Sequence, residues 1–580
     1  MDTSWLKNVI EKIHLSFDRK NSPNIKISGD KNIKGNNLNV FPKIYNVNIN
    51  LDMSGEERRI MQDEIFERLK DVLLEKKLRI RKNNMGIIVS KTDYILYREC
   101  PKNIWLKNYK PEVFNEAELS EFEKAIIETG NEVELVARQL FPAGFLIEGR
   151  DEEAQEKTQF LITQKEKVIF QPIFVKDGFL AAVDILELQE DGTYSIYEVK
   201  STTDVDKKTH YHDLAFQVNL LEKFGIKAKK AYVIHLDSEY VREGEININK
   251  LFHTQDVTEQ VEQIKEGVLA EMEVALKYLS QDDEPKGYCA CVYKGRSNHC
   301  ATFGYSNPDI PAYGVHDISR IGASKMTLQE LVDVNIFELK DVPGHTKLTP
   351  TQKNQIEAHV FDRLMIDKYN INEELQSLVF PLYFLDYETF PSAIPRFNGF
   401  SPYQQIPFQY SLYVLDSPEA EPRHFEFIFS EKTDPSLEFL KSLQKNIKES
   451  GSIIVWNKRF ECKINEELAA RNPDYKLFIE EVNKRVYDLM DIFGKQYYVH
   501  KGFKGRISIK NILPVLVPEL SYKTLNIQEG GTASQKWNEI HLEATSPAEK
   551  QKIIDDLKEY CKLDTYAMYA IWKHLHELIK

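Results

Sequence analysis

The stretch that most constrains this chain is Leu382–Phe390, where a hydrophobic run from Phe380 to Leu385 delivers Asp386 and Glu388 with one residue between them. Side chains alternate along a strand, so both carboxylates project from the same face. Their aromatic and aliphatic neighbours predict that the strand is buried in a sheet. Two acids side by side in such a setting repel each other and are costly to desolvate unless a cation joins them. A divalent metal is the usual solution, and paired Mg²⁺ ions suit displacement at a phosphodiester. A strand end with two solvated acids is the plainer alternative, and the rest of the chain decides between them.

A chain of 580 residues has room for about three to four domains. No apolar run approaches the ~20 residues of a membrane span, and the first residues lack the apolar core of a signal peptide. The expectation is a cytoplasmic protein with no membrane partner. The formal charge of −14 argues against a general nucleic-acid coating protein. It does not exclude a nuclease, whose metal site is acidic by necessity. Contact with nucleic acid would then rest on local basic patches at residues 76–82 (KKLRIRK), 227–230 (KAKK) and 501–510 (KGFKGRISIK).

Residues 1–50 read as a polar, Asn-rich arm, and 51–86 as an association element for a second copy or a protein partner. Within it, Ile60, Ile65, Leu69, Leu73 and Leu74 share one face of an amphipathic helix from Glu56 to about Lys82. Ser90 is placed to cap the next helix, which runs through Cys100 to Trp105, and a further helix over about Leu119–Leu140 stops at Pro142 and Gly144. Strands at 168–177, 179–188 and 194–201 follow as a meander, with turns at Lys176-Asp177-Gly178 and Glu190-Asp191-Gly192. Glu198 and Lys200 share a face by strand period, and Asp184 can face them from the neighbouring strand. Two acids can ligate a divalent metal, while the lysine orients water or stabilises charge on a phosphate. The helix at 211–226 places Gln217 within reach of the same site.

Cys100 lies early, and Cys289, Cys291 and Cys300 lie late, in YCACVYKGRSNHC. Four thiolates are the right ligand number for a 4Fe–4S cluster or for structural Zn²⁺, with His299 as a substitute ligand for one of them. Residues 306–377 read as a helical connector: short helices with a Gly-rich break, then one longer helix from Gln352 to Ile371. Beyond it, IIVW (453–456) leads into a helix carrying Asn457, Phe460 and Glu461. The last helix sets Tyr560 and Asp564 one turn apart on one face. The fold class expected is α/β and multidomain.

Two resemblances follow from these motifs. Residues 87–305 resemble the RecB-like branch of the PD-(D/E)xK nucleases, including the CRISPR-associated RecB-like exonucleases and the AddB nuclease domain. The matching pieces are the Cys-Pro helix at Cys100, GNEVELVARQLFPAG, Asp184, Glu198-Val-Lys200 and Gln217. Where many relatives carry a metal-binding histidine, GNEVE offers Glu132 or Glu134. The resemblance implies that the four cysteines hold a 4Fe–4S cluster, although C-x-C-x8-C departs from the commoner spacing.

Residues 378–580 resemble the DnaQ-like DEDD exonucleases of the tyrosine subtype, on an RNase H-like fold. That implies Asp386, Glu388, Glu461 and Asp564 as ligands of two Mg²⁺ or Mn²⁺ ions about 3.5–4 Å apart, with Tyr560 positioning the attacking water. Glu461 replaces the usual aspartate. Asp488 and Asp491 are further acidic candidates, either structural or supporting the metal ligands from behind. The pairing of both motif sets over 87–580 resembles a bacterial family joining a RecB-like nuclease to a DEDD domain. It implies a metal-dependent 3′→5′ exonuclease with a second nuclease site, acting on DNA with a free end in preference to RNA. Phage defence, CRISPR adaptation and repair are the contexts it admits. The competing reading is a nucleic-acid-binding or assembly subunit with one or both sites inactive.

Overall fold

A computed structural model describes residues 87–115 and 121–580, and residues 87–580 form one compact unit. The expected arm (1–50) and amphipathic helix lie outside the described residues. The unit is mixed α/β, with two larger sheets of six and five strands among the described residues. No helix among those residues is long and apolar enough to cross a membrane.

The six-stranded sheet runs Phe145–Leu146, Val168–Phe170, Ile185–Leu188, Tyr194–Lys200, Ala228–Leu236, Phe252–Asp256. Tyr194–Lys200 and Ala228–Leu236 are parallel, joined by helix His210–Lys223. That helix is buried along most of its length, from Leu214 through Leu221. The two long strands expected at 168–177 and 179–188 are each broken. Their outer halves, Ile173–Lys176 and Phe179–Ala182, pair with each other and with Val89–Ser90 in a separate three-stranded sheet. The cause is local. Pro172 has no N–H for the ladder, and Gln171 before it takes a left-handed φ of 54°. Across the break, Gln171 N donates to Asp184 O at 3.1 Å and Val183 N to Pro172 O at 3.1 Å. The break is what sets Asp184 at a strand start.

The five-stranded sheet has the order Arg423–Ile428, Gln405–Leu415, Leu382–Pro391, Ile453–Val455, Val486–Asp488. The first three strands are antiparallel and the last two parallel to the central one. Strand period sorts the central strand. Leu382, Phe384 and Phe390 pack in the core that includes helix Pro547–Ile579, whereas Tyr383, Leu385 and Tyr387 pack with helices Ser436–Asn446 and Lys458–Arg471. Asp386 and Glu388 fall on the Pro547–Ile579 side, as the alternation requires. A β-bulge follows at Glu388/Thr389.

The expected connector is more than a spacer. Ile310, Val315, Ile318, Leu328, Leu331 and Leu339 share one apolar core with Cys100, Cys289 and Cys291. The single long helix expected there is two, Pro350–Val360 and Lys368–Gln376, separated where Asp362 takes φ 51°. Between them Met365–Ile366 pairs antiparallel with Tyr498–Val499 in a separate two-stranded sheet and so ties this region to the C-terminal half.

Candidate active sites and thiolate centre

The central strand meets the last helix across the sheet face. Ser546 caps that helix in a capping box with Glu549, and Pro547 occupies its first turn. Gln409 Nε2 donates to Leu557 O at 2.9 Å, and Ser411 and Thr565 hydroxyls lie 2.6 Å apart, fixing the helix against the neighbouring strand. This brings Tyr560, Cys561 and Asp564 over Asp386 and Glu388. One ligand atom each from Asp386, Glu388 and Cys561 lie within 4.8 Å of one another. Cys561 Sγ sits 3.8 Å from Asp386 Oδ2. Tyr522 donates its hydroxyl hydrogen to Asp564 Oδ1. Lys510 Nζ donates to Tyr560 Oη at 3.3 Å.

Glu461 joins from the first turn of helix Lys458–Arg471, which follows strand Ile453–Val455. The junction is held by Asp488, which accepts from Asn457 N at 3.2 Å and Lys458 N at 2.8 Å. Asp488 is therefore structural, as expected, and Asp491 pairs outward with Lys495 at 3.4 Å.

Glu388, Glu461 and Asp564 are buried. No ion pair among the described residues involves any of the four carboxylates, and Glu461 Oε2 is buried without a partner. Burial, then the neighbouring Asp564, push Asp386 well above the ordinary carboxylate range; burial, then Asp386 and Asp564, do the same to Glu388. Burial and then Asp386 push Glu461 up to about 9. Asp564 is also raised, chiefly by burial, with its hydrogen bond from Tyr522 opposing the shift. Hard oxygen donors, excess negative charge and an orphaned oxygen form a donor set that fits Mg²⁺ or Mn²⁺. Gly530 begins helix Gly530–Glu539 beside them: a Cβ there would lie 3.9 Å from both Glu388 Oε2 and Tyr560 Oη.

The second carboxylate cluster is built differently. Glu198 is buried, and both its oxygens are engaged: Oε1 accepts from Lys91 Nζ at 2.6 Å and Lys200 Nζ at 2.8 Å, Oε2 from Gln217 Nε2 at 2.6 Å. Lys200 also reaches Asp213 Oδ2 at 2.5 Å. Asp184 Oδ2 accepts from Val199 N at 2.8 Å, and Oδ1 from Gln171 Nε2 at 3.2 Å. Burial opposes charge on Glu198, but Lys200 and Lys91 outweigh it and hold the carboxyl well below its usual range. Burial and then Glu198 lift Asp184 to about 7. Of the two alternatives in GNEVE, Glu134 is the one at this site. It accepts from Gln171 Nε2 at 2.6 Å and from Arg138 at 2.6 Å, and raises Asp184. Glu132 instead faces Arg396 of the C-terminal half.

Cys100, Cys289, Cys291 and Cys300 converge, their Sγ atoms all within 4.8 Å of one another. Cys289 and Cys300 sulfurs lie 3.9 Å apart, and Asn307 Nδ2 donates to Cys289 Sγ at 3.2 Å. The set can hold a metal ion. A single tetrahedral Zn²⁺ with bonds of about 2.3 Å separates its sulfurs by about 3.8 Å, close to this spacing. His299 is not in the set: it stacks on Phe303 and its Nε2 lies 2.9 Å from Lys294 O.

Lys91, Asp213, Gln171, Lys510, Tyr522 and Cys561 are the site residues that motif reasoning passed over. Asp213 stands four residues before Gln217 on one helix face, and Lys510 closes the basic patch at 501–510, so both had a signal. Lys91 and Tyr522 had none, because only the tertiary fold brings them in.

A family described as a domain of unknown function (DUF2779) matches residues 383–508, from the Asp386 strand through the Glu461 helix. An uncharacterized protein of Ureaplasma parvum, UU173, is 26% identical over 289 residues, covering 46% of this chain and 41% of the relative. The MG366 homolog of Mycoplasma pneumoniae, also uncharacterized, is 26% identical over 271 residues, covering 43% of this chain and 41% of the relative. Mycoplasma genitalium MG366 is 28% identical over 216 residues, covering 34% and 32%. The chain thus spans well under half the length of the curated relatives it matches.

Proposed function

We propose that this chain is a divalent-metal-dependent nuclease whose principal site is the cluster of Asp386, Glu388, Glu461 and Asp564, acting 3′→5′ on DNA with a free end. The observation that carries the reading is four converging carboxylates, three of them buried and none ion-paired among the described residues. Such a cluster is expensive to maintain unless cations neutralise it. Bound Mg²⁺ or Mn²⁺ would supply charge stabilisation at attacking and leaving oxygens. Tyr560, between Lys510 and Asp564, is placed to orient a water at that cluster. Strand order and chain direction in the five-stranded sheet also support an RNase H-like domain of the DEDD class.

We assign the second nuclease role to Asp184, Glu198 and Lys200, with Glu134 as the further acid and Gln217 orienting Glu198. The parallel strand–helix–strand unit carrying them supports a RecB-like core. The four-thiolate set is read as a structural metal centre that joins Cys100 to the 289–300 segment.

The test is end-labelled single- and double-stranded DNA and RNA incubated with purified protein and Mg²⁺ or Mn²⁺. A ladder from free 3′ ends, absent with 3′-blocked ends and in Asp386→Asn, is expected. Equal consumption of blocked and free ends would refute the direction of attack.

A further inference from the structure

A cavity of about 670 Å³ lies where the connector meets residues 493–507 of the C-terminal half. Arg320, Lys501 and Arg506 line it together with Ser319, Ser324 and Thr349, and no Asp or Glu does. In a chain with 90 acidic residues, an acid-free lining of this kind is not the average surface. Arg320 and Arg506 are exposed and make no ion pair among the described residues. Lys501 pairs with exposed Asp362 at 2.8 Å. Lys504 adds a fourth cation, with Nζ 5.7 Å from the centroid of the Tyr313 ring.

The walls are fixed to each other. Gln355 of helix Pro350–Val360 accepts from Ser319 N at 2.8 Å, and donates to Tyr313 Oη at 2.9 Å, Asp317 O at 2.9 Å and Lys504 O at 3.3 Å. Gly505 lies directly on that amide: at φ +70°, a Cβ would come 2.3 Å from Gln355 Cδ. Only glycine lets the basic loop seat there.

The same loop leads to the carboxylates. Ile507 lines the cavity and accepts from Trp456 Nε1 at 3.1 Å, two residues before the Glu461 helix begins. Lys510, whose Nζ meets Tyr560 Oη at 3.3 Å, is three residues on, at most about 11 Å of chain. Lys501, Lys504, Arg506 and Lys510 therefore form a basic line from the cavity to the carboxylate cluster.

We propose that this cavity is the binding track for a single-stranded nucleic acid whose end enters the Asp386 site; the inference rests on the phosphodiesterase reading of that site. Clustered cations on an acid-free lining attract a polyanion. The volume falls in the range of about 300–1,000 Å³ typical of small-ligand sites, which admits a few nucleotides and excludes a duplex. Partly exposed Tyr313 lines the cavity beside the cations.

The test is fluorescence anisotropy of the full chain with 5′-labelled oligothymidylate in EDTA, titrated with salt. Arg320→Ala with Arg506→Ala should weaken binding about tenfold and lower the slope of log K against log salt by roughly 1.4, at ~0.7 per lost phosphate contact. Lys441→Ala with Lys484→Ala, exposed lysines paired with Glu438 and Glu481, should leave the slope unchanged. An unchanged slope in the arginine variant overturns the proposal. So does equal loss of duplex binding, or polyglutamate competing as well as the oligonucleotide. Hydrolysis of a nitrophenyl ester of thymidine monophosphate with Mn²⁺ separates the two readings. It should be equal in wild type and arginine variant if the track only delivers substrate. If the wild type fails to hydrolyse it while the salt slope still falls, the phosphodiesterase reading fails and strand binding stands.

Discussion

Replacing Asp386 by Asn should stabilise the metal-free protein and, at the same time, remove its response to metal. The Asp386 carboxylate, after burial, helps to raise the carboxyls of Glu388 and Glu461. An acid whose folded pKa exceeds its unfolded one binds protons preferentially in the fold. Its stability is whole below the ordinary carboxylate value and drains away as pH rises through the folded value. For Glu461 that window runs from 4.5 to about 9. Ligand atoms of Asp386 and Glu388 lie within 4.8 Å. At about 5 Å and an effective dielectric of ~20, two unit charges repel by about 3 kcal/mol. Partial protonation reduces this, so Asp386→Asn should gain about 1–3 kcal/mol near pH 9 in EDTA, and almost nothing near pH 4. Mg²⁺ at a hundredfold excess over the Kd of this cluster should add about 2.7 kcal/mol to the wild type, a gain that the variant lacks. Urea melts at both pH values, with EDTA or Mg²⁺, read all four numbers. A variant less stable than wild type near pH 9 in EDTA, or one that gains as much from Mg²⁺, would refute the reasoning.

Four further outcomes are expected. Cys100→Ser should lose the bound metal, seen by elemental analysis of anaerobically purified protein. It should also lose up to about 5 kcal/mol of stability, the chain-entropy value for a tie across 189 positions (289 − 100). In a chain already carrying Asp386→Asn, Lys200→Ala should abolish any remaining cleavage. Lys91→Ala, by removing one of the two cations on Glu198 Oε1, should tighten Mg²⁺ binding measured by calorimetry. Burial, then Lys200, lower His210 to about 4, and its Nδ1 accepts the Asp206 N–H at 3.1 Å. That contribution is whole above about pH 6.5 and is lost as pH falls towards 4, so amide-exchange protection at Asp206 should fall over that window.

How far the sequence could be read depended on whether a feature was local. Strand period alone put Asp386 and Glu388 on one face, and helix period put Tyr560 and Asp564 together; both arrangements stand in the fold. Capping at Ser90 was equally local, and its box with Asp93 is present. The broken strands were missed although Pro172 was visible. A proline in an apolar run does not say that the two halves will part into different sheets. The connector was underestimated for a related reason: its apolar residues have no long period, and their partner is the cysteine core. Lys91 could not be foreseen at all, since 107 positions separate it from Glu198.

The two acidic clusters differ in how their charge is balanced, and this bears on what each requires. At Glu198 the chain supplies its own cations: Lys91 and Lys200 lie at 2.6 and 2.8 Å, and Gln217 takes the other oxygen. A metal there must displace Lys91 or use the free lone pairs of Asp184 and Glu134. At Asp386 the described residues supply only Lys510, which meets Tyr560 and makes no ion pair with the acids among them. The clusters are also physically joined. Tyr403 donates its hydroxyl hydrogen to Ser201 O, the residue after Lys200, and its own N–H to Ser392 O at 2.8 Å, just beyond the Glu388 strand. A shift of the Glu198 strand end would therefore reach the loop that follows Glu388 through two hydrogen bonds. Tyr403→Phe, which removes one of them and keeps the ring, should leave each site's metal affinity unchanged while uncoupling them. Calorimetric Mg²⁺ titration of Lys91→Ala with and without Tyr403→Phe measures this, and identical Asp386-site affinities in both backgrounds would show that the contact only holds the halves together.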